Sequence, residues 1–300
     1  MIGLDIGNRF IKLVALGRHR GSWQLEACIA RESGTDPVPG LQAALQSLPS
    51  SLRRKPLRVA IALQSTELFI KTVQLPYGLD HNQLDLALRM ELGQGSLAAP
   101  EEICLDYRLP GRPDHQGPSE QVLAVACRQS LMDVSLNALR SAGVEPALVG
   151  ADVMLIADDM SSASRNPELE LFVDAGATGI RLYSMRSGVP AYSRSHALLN
   201  SSGSLDDPAG YLLLLRRAIQ QYRMFDMLSK PATIFLYGGA AALSGVQDLL
   251  QQSFGMPVRS IHPFSDSQLR ERERFVIPEE LHESSFTLAY VLAKQDFSCA

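Results

Sequence analysis

The chain has 300 residues, 46% of them apolar and 20% charged, with a net charge of −4. That length and balance describe an ordinary soluble globular chain with room for two lobes, each with its own core. Without a long basic block, nucleic acid is not expected as a direct partner, because phosphate contacts need clustered Lys and Arg.

Two short basic clusters, Arg53-Arg54-Lys55 and Arg216-Arg217, read as solvated faces. The first residues lack a basic segment followed by an apolar one, so no signal peptide is expected, and no apolar run reaches the ~18 residues of a membrane span. Cys28, Cys104, Cys127 and Cys299 are far apart and form no Cys-x-x-Cys pair. They read as free thiols in a reducing cytosol. The six histidines show no ligand spacing, and none is expected to hold a metal.

In chain order, residues 2–6, 10–17 and 22–31 read as three antiparallel strands, with turns at Gly7-Asn8 and between Gly17 and Gly21. A Pro/Gly stretch opens a short helix through Leu41, Leu45 and Leu48, and RVAIAL (58–63) reads as a buried parallel strand. A piece of different character follows. Residues 68–75 alternate, with Leu68, Ile70, Thr72 and Gln74 on one face. A helix from His81 to Leu92 carries Leu84, Leu88 and Leu92, its stripe widened by Leu86 and Met90. Strands at 104–109 and 121–127 flank a Gly/Pro-rich loop, 110–118, and a helix runs from Ser130 to Ala142.

A strand at 145–149 leads into a helix opened by Asp152, read as its N-cap. The Ser-rich stretch 161–167 is the expected linker. Strands at 169–174, 179–186 and 189–197 then repeat the opening. A polar loop (200–208) precedes a helix from about Ala209 to Leu228, with Leu212, Leu215, Ile219, Tyr222 and Phe225 as its core stripe. A buried strand, 233–237, runs into Gly238-Gly239. A helix (244–254), a strand (258–261), a charged turn (270–274) and a last helix (285–295) complete the chain. The expected division is a first lobe of 1–66 plus 146–166, an inserted α+β subdomain of 67–145, and a second lobe of 167–300.

The chemistry centres on the two hairpins. MIGLDIGNRFIKL holds Asp5, Gly7, Ile11, Lys12 and Leu13; LFVDAGATGIRLYSM holds Asp174, Gly176, Ile180, Arg181 and Leu182, at a constant offset of 169. An Asp-x-Gly turn presents backbone N–H groups that can hold phosphate oxygens, and glycine admits close approach. A carboxylate beside it can hold Mg²⁺ through water, and Lys12 could add positive charge. Two such turns from two lobes could clamp a nucleoside triphosphate. Gly238-Gly239 adds a third close backbone approach, suited to ribose or adenine. No placed general base for a sugar-kinase reaction is found.

These hairpins, the strand-Gly-Gly and the element order resemble the actin-like ATPase superfamily. VALGRHRGSWQLEACIAR, IALQSTELFIKTVQLP, EEICLDYRL, VLAVACRQ, EPALVGADVMLIA and LFVDAGATGIRLYSM follow one another as in the type IV pilus assembly protein PilM family. The chain also resembles the divergent pilus- and competence-associated HofM-like proteins. The resemblance implies an α/β, two-lobed, actin-like (ribonuclease-H-like) fold with a small α+β insertion in the first lobe. It implies a scaffold at the cytoplasmic face of the inner membrane, bound to the cytoplasmic N-terminal tail of a bitopic PilN-like protein and to further pilus assembly proteins. It also implies ATP and Mg²⁺ between the lobes. Phosphate and Mg²⁺ contacts would fall on Asp5, Gly7, Asn8, Lys12, Asp174, Gly176, Ala177 and Thr178, the metal being held by Asp5 and Asp174 through water. Nucleoside contacts would fall on Gly238, Gly239 and Ala240.

Three departures from the family pattern weaken the nucleotide expectation. The first turn continues Asn8-Arg9-Phe10 instead of with small hydroxyl residues, and Arg9 could reach a phosphate or plug the site. The segment between Leu198 and Ala209 is too short for a full small subdomain. Tyr290-Val291 stands where the family often has a glycine, which would hinder close helix approach. A scaffold with degenerate nucleotide binding is therefore expected. A working ATPase with nucleotide-driven lobe motion is the alternative, and a small-molecule kinase is a more distant one.

Overall fold

The computed structural model describes residues 1–20, 22–53, 57–93, 99, 102–109, 118–160, 168–198, 207–225, 230–265, 275–279 and 281–295. The expected linker 161–167, most of the two loops near 110–118 and 200–208, the charged turn 270–274, Arg54, Lys55 and Cys299 lie outside them. Two compact units are formed, one of Met1–Ala62 with Leu139–Ala300 and one of Leu63–Ala138.

The larger unit contains two sheets. The first uses β1 (Ile2–Ile6), β2 (Phe10–His19), β3 (Ser22–Glu32), β4 (Val59–Leu63), β8 (Pro146–Ala151) and the short β14 (Phe275–Val276), in the order β14-β3-β2-β1-β4-β8. The second uses β9 (Leu169–Ala175), β10 (Gly179–Arg186), β11 (Val189–Ala197), β12 (Thr233–Tyr237) and β13 (Val258–Ser260), in the order β11-β10-β9-β12-β13. The plan is thus repeated: an antiparallel three-strand meander, then two further strands beside its first. β1 pairs parallel with β4, as β9 does with β12.

Helix α1 (Pro37–Gln46) starts where Asp36 accepts a 3.0 Å bond from the Val38 N–H and proline occupies the first turn. It packs on β2 and β3. α4 (Asp152–Met160) lies against α7 (Thr287–Lys294), and α7 covers β1 and β2. Close approach at α7 does not depend on a glycine in that helix. Gly3 on β1 supplies it instead: a Cβ there would fall 1.9 Å from the Ala289 carbonyl oxygen and 2.5 Å from the Ala293 nitrogen. The hindrance expected from Tyr290-Val291 is therefore absent.

In the second lobe, α5 (Pro208–Phe225) and α6 (Val246–Phe254) cover one face of the sheet. The α5 stripe is Tyr211, Leu215, Ala218, Ile219 and Tyr222, rotated from the expected one; Phe225 is exposed and Leu212 only partly buried. On the other face, Phe172 stacks between Tyr183 and Phe235, its neighbours in the strand register, with ring centroids 4.9 and 4.8 Å away.

The smaller unit holds the sheet β5-β7-β6, built from β5 (Phe69–Pro76), β6 (Ile103–Arg108) and β7 (Ser119–Arg128), with α2 (His81–Gly93) on it. α3 (Gln129–Ser141) follows β7. Leu84, Leu88 and Leu92 are buried against Val73, Leu75 and Val122. Leu86 and Met90 do not widen this stripe. They are exposed, because two residues of a helix advance about 200° and face away. On β5 the core face is that of Val73 and Leu75, not that of Ile70 and Gln74; a two-residue repeat offers both, and the bulkier aliphatic pair is buried. Among the described residues no helix is long and apolar enough to cross a membrane.

Candidate functional site

Antiparallel pairing decides what each hairpin does with its charges. In the first, Asp5 and Lys12 are direct cross-strand partners, and the Lys12 ammonium donates to Asp5 Oδ2 at 2.5 Å. Both side chains are about five-sixths buried, at 15% and 16% exposure. The Gly7 N–H closes the turn onto the Phe10 carbonyl at 3.1 Å. Arg9 lies over the Phe10 ring, 5.5 Å from its centroid.

The second hairpin repeats this pairing and extends it. Asp174 faces Arg181 across the strands and Tyr237 on its other side. Arg181 donates through Nε (3.0 Å) and Nη2 to Asp174 Oδ2, and through Nη1 to Asp152 Oδ2. Asp152, expected as an N-cap, is instead the first residue of α4 and accepts from the adjacent Val153 N–H at 2.7 Å; its side chain is buried and bridged to the second sheet. Burial alone would lower the Arg181 pKa. The Asp174 and Asp152 carboxylates outweigh it and hold the guanidinium charged, well above its ordinary range. Beneath them the Tyr183 and Tyr237 hydroxyls bond to each other at 3.0 Å, and burial raises the pKa of both.

The turns themselves are tied in. The Tyr211 hydroxyl donates to the Gly176 carbonyl at 3.1 Å, and burial raises its pKa. Asn8 Nδ2 donates to Thr178 Oγ1 at 3.4 Å, so the tips of the two hairpins meet. Gly238, at φ +103°, is required by close approach: a Cβ would lie 2.5 Å from the Ala175 carbonyl oxygen. Its N–H donates to the Ser284 carbonyl (3.1 Å), its own carbonyl accepts from the Ser284 hydroxyl (2.8 Å), and the Ala240 N–H donates to Ala175 (2.8 Å).

The structure therefore brings the residues of the two hairpins and of Gly238–Ala240 into one region. Each carboxylate expected to hold the metal is paired with a cation from its own hairpin. The Gly7, Gly238 and Ala240 N–H groups have protein acceptors, and the hairpin tips are bonded to each other.

The model of the family described as type IV pilus assembly protein PilM matches residues 3–198. The chain belongs to the PilM family. A solved PilM–PilN type IV pilus biogenesis complex aligns over 97% of this chain and 97% of its own, with TM-score 0.75 and 20% identity. The cytoplasmic domain of EpsL, an inner-membrane component of the type II secretion system of Vibrio cholerae, aligns over 97% and 92%, with TM-score 0.53 and 11% identity. With its doubled sheet plan, the chain has the two-lobed, actin-like α/β fold.

Sequence reasoning missed Arg181 as the partner of Asp174, although it aligns with Lys12. The signal was there: a tight hairpin places residues seven apart on opposite strands, so acid and base must face each other. Asp152 was legible only as a helix cap, and Tyr211 was not in the expected core stripe of α5. Their reach to the second hairpin depends on tertiary placement.

Proposed function

We propose that this PilM-family chain is a scaffold of a type IV pilus or DNA-uptake (competence) assembly complex, working at the cytoplasmic face of the inner membrane. It captures the cytoplasmic N-terminal tail of a PilN-like bitopic membrane protein and offers surfaces to other assembly proteins. In this reading Asp5, Gly7, Asn8, Lys12, Asp174, Gly176, Ala177, Thr178, Gly238, Gly239 and Ala240 are the remnant of an ancestral ATP and Mg²⁺ site. The supporting observation is that both cleft carboxylates are neutralised from within, Asp5 by Lys12 and Asp174 by Arg181. A nucleotide-driven motor needs those groups available. A scaffold gains a rigid cleft. The named partner of the solved PilM supports a PilN-like tail as ligand, and β5, an edge strand of its sheet, is suited to accept an extended peptide by strand addition.

Two measurements test this. Fluorescence anisotropy with the N-terminal peptide of a co-encoded single-span membrane protein should show saturable binding. Its absence at ~300 μM, roughly −5 kcal/mol, would remove the tail-capture reading. Calorimetry with MgATP should show no turnover. The second reading, a working ATPase, is favoured by retention of both Asp-x-Gly turns; it prevails if tight binding and hydrolysis are seen and Asp5→Ala abolishes them.

A further inference from the structure

Away from the hairpins, two histidines far apart in sequence come together. His262 follows β13, and His282 and Glu283 begin the 3-10 turn Glu283–Phe286 that leads into α7. One ligand atom from each of His262, His282 and Glu283 lies within 4.8 Å of the others. All three side chains are reachable from solvent, His262 at 45% and Glu283 at 31% exposure. The two imidazoles meet edge to face, with centroids 6.0 Å apart.

Ser284 gives its hydroxyl hydrogen to the Gly238 carbonyl at 2.8 Å, and its N–H donates to His282 Nδ1 at 3.3 Å, with Oγ 2.8 Å from the same nitrogen. His262 Nδ1 sits 2.7 Å from Glu283 Oε1, so a ring nitrogen and a carboxylate oxygen already face each other in the cluster.

We propose that His262, His282 and Glu283 form a site for a divalent transition-metal ion, zinc by preference. Two imidazoles and one carboxylate suit zinc over the hard cations Mg²⁺ and Ca²⁺, which favour all-oxygen shells. Small rotations of these surface side chains bring three donors to the ~2.0–2.2 Å that zinc requires, with water in the fourth position. Such an ion clips the start of the 3-10 turn to the end of β13. Through Ser284 it reaches the Gly238 turn, so occupancy at the surface steadies the floor of the cleft. This inference does not rest on the pilus reading.

The test uses the full chain stripped of metal with a chelator. Zinc titration should give one site per chain. His262→Ala and His282→Ala should each weaken it at least tenfold. Millimolar Mg²⁺ or Ca²⁺ should not compete. Thermal midpoints without metal check that each variant is folded. Cobalt substitution distinguishes the alternative donors: nitrogen and oxygen ligands give visible bands without a thiolate charge-transfer band. The proposal is overturned if zinc does not bind the folded chain, if binding survives in the doubly substituted His262→Ala/His282→Ala chain, or if the cobalt spectrum reports thiolate from the cysteines.

Discussion

An aspartate opposite a cation at a hairpin neck can serve a ligand or serve the fold, and the number of partners decides between them. Arg181 answers to two carboxylates, of which Asp152 is 4% and Asp174 12% exposed. Lys12 answers to one. Arg181→Ala should therefore cost about 3–5 kcal/mol, because it leaves two buried acids facing each other. Lys12→Ala should cost about 1–2 kcal/mol. Urea titration of both variants checks the order. Arg181→Lys should recover little, since an ammonium lacks the fork that reaches two acids, whereas Arg181→Met combined with Asp152→Asn and Asp174→Asn should recover much of the loss. A second residue effect is pH-dependent. Burial, with Arg194 nearby, lowers the His196 pKa below its ordinary 6.5. The folded chain then binds fewer protons than the unfolded one below that value. The associated stability is complete above 6.5 and falls as pH drops through 6.5 toward the lowered pKa. Between about pH 8 and pH 5, His196→Gln should lose less stability than the parent chain does in paired denaturation curves.

Among the elements, long periodic stretches were legible and their rotation was not. The strands of both hairpins and the helices after them follow from alternation and helical spacing, so Asp5 and Asp174 could be assigned to equivalent turns in advance. Which face of α5 or β5 is buried depends on what packs there, and single-sequence periodicity offers near-equal choices. The burial of Tyr211, with its hydroxyl on Gly176, turned α5 away from the face that would have hidden Phe225. The same logic governs α7. Gly3, Ala289 and Ala293 let helix and strand touch backbone to backbone, and Gly3→Ala places a methyl group against an immovable carbonyl. The expected loss is about 3 kcal/mol or more, since the obstruction is main chain that no rotamer change relieves. Calorimetric unfolding of that variant tests it.

For the whole molecule, the two compact units make different demands on the sequence. The larger one repeats a single sheet plan, and that repetition is why a doubled Asp-x-Gly pattern carried so much of the fold. The smaller one has a core of its own, centred on Leu88, which is fully buried. Leu88→Ala should cost about 2–4 kcal/mol. Hydrogen exchange should place the resulting protection loss within 63–138 and leave the hairpin strands β1, β2, β9 and β10 unchanged. Nothing in the primary structure announced the meeting of His262 with His282 and Glu283. Their approach is a by-product of where β13 ends and where α7 begins.

The contact of β1 with α7 has a further consequence, for biosynthesis. β1 is synthesised well before the helix that covers it, which comes from residues 287–294, and β3 well before the strand beside it, from 275–276. Until those residues are made, the first sheet keeps a bare apolar face and an open edge, the surfaces on which nascent proteins aggregate. Its first lobe is thus begun well before it is sealed, a birth order that makes folding slow and gives a chaperone time to bind.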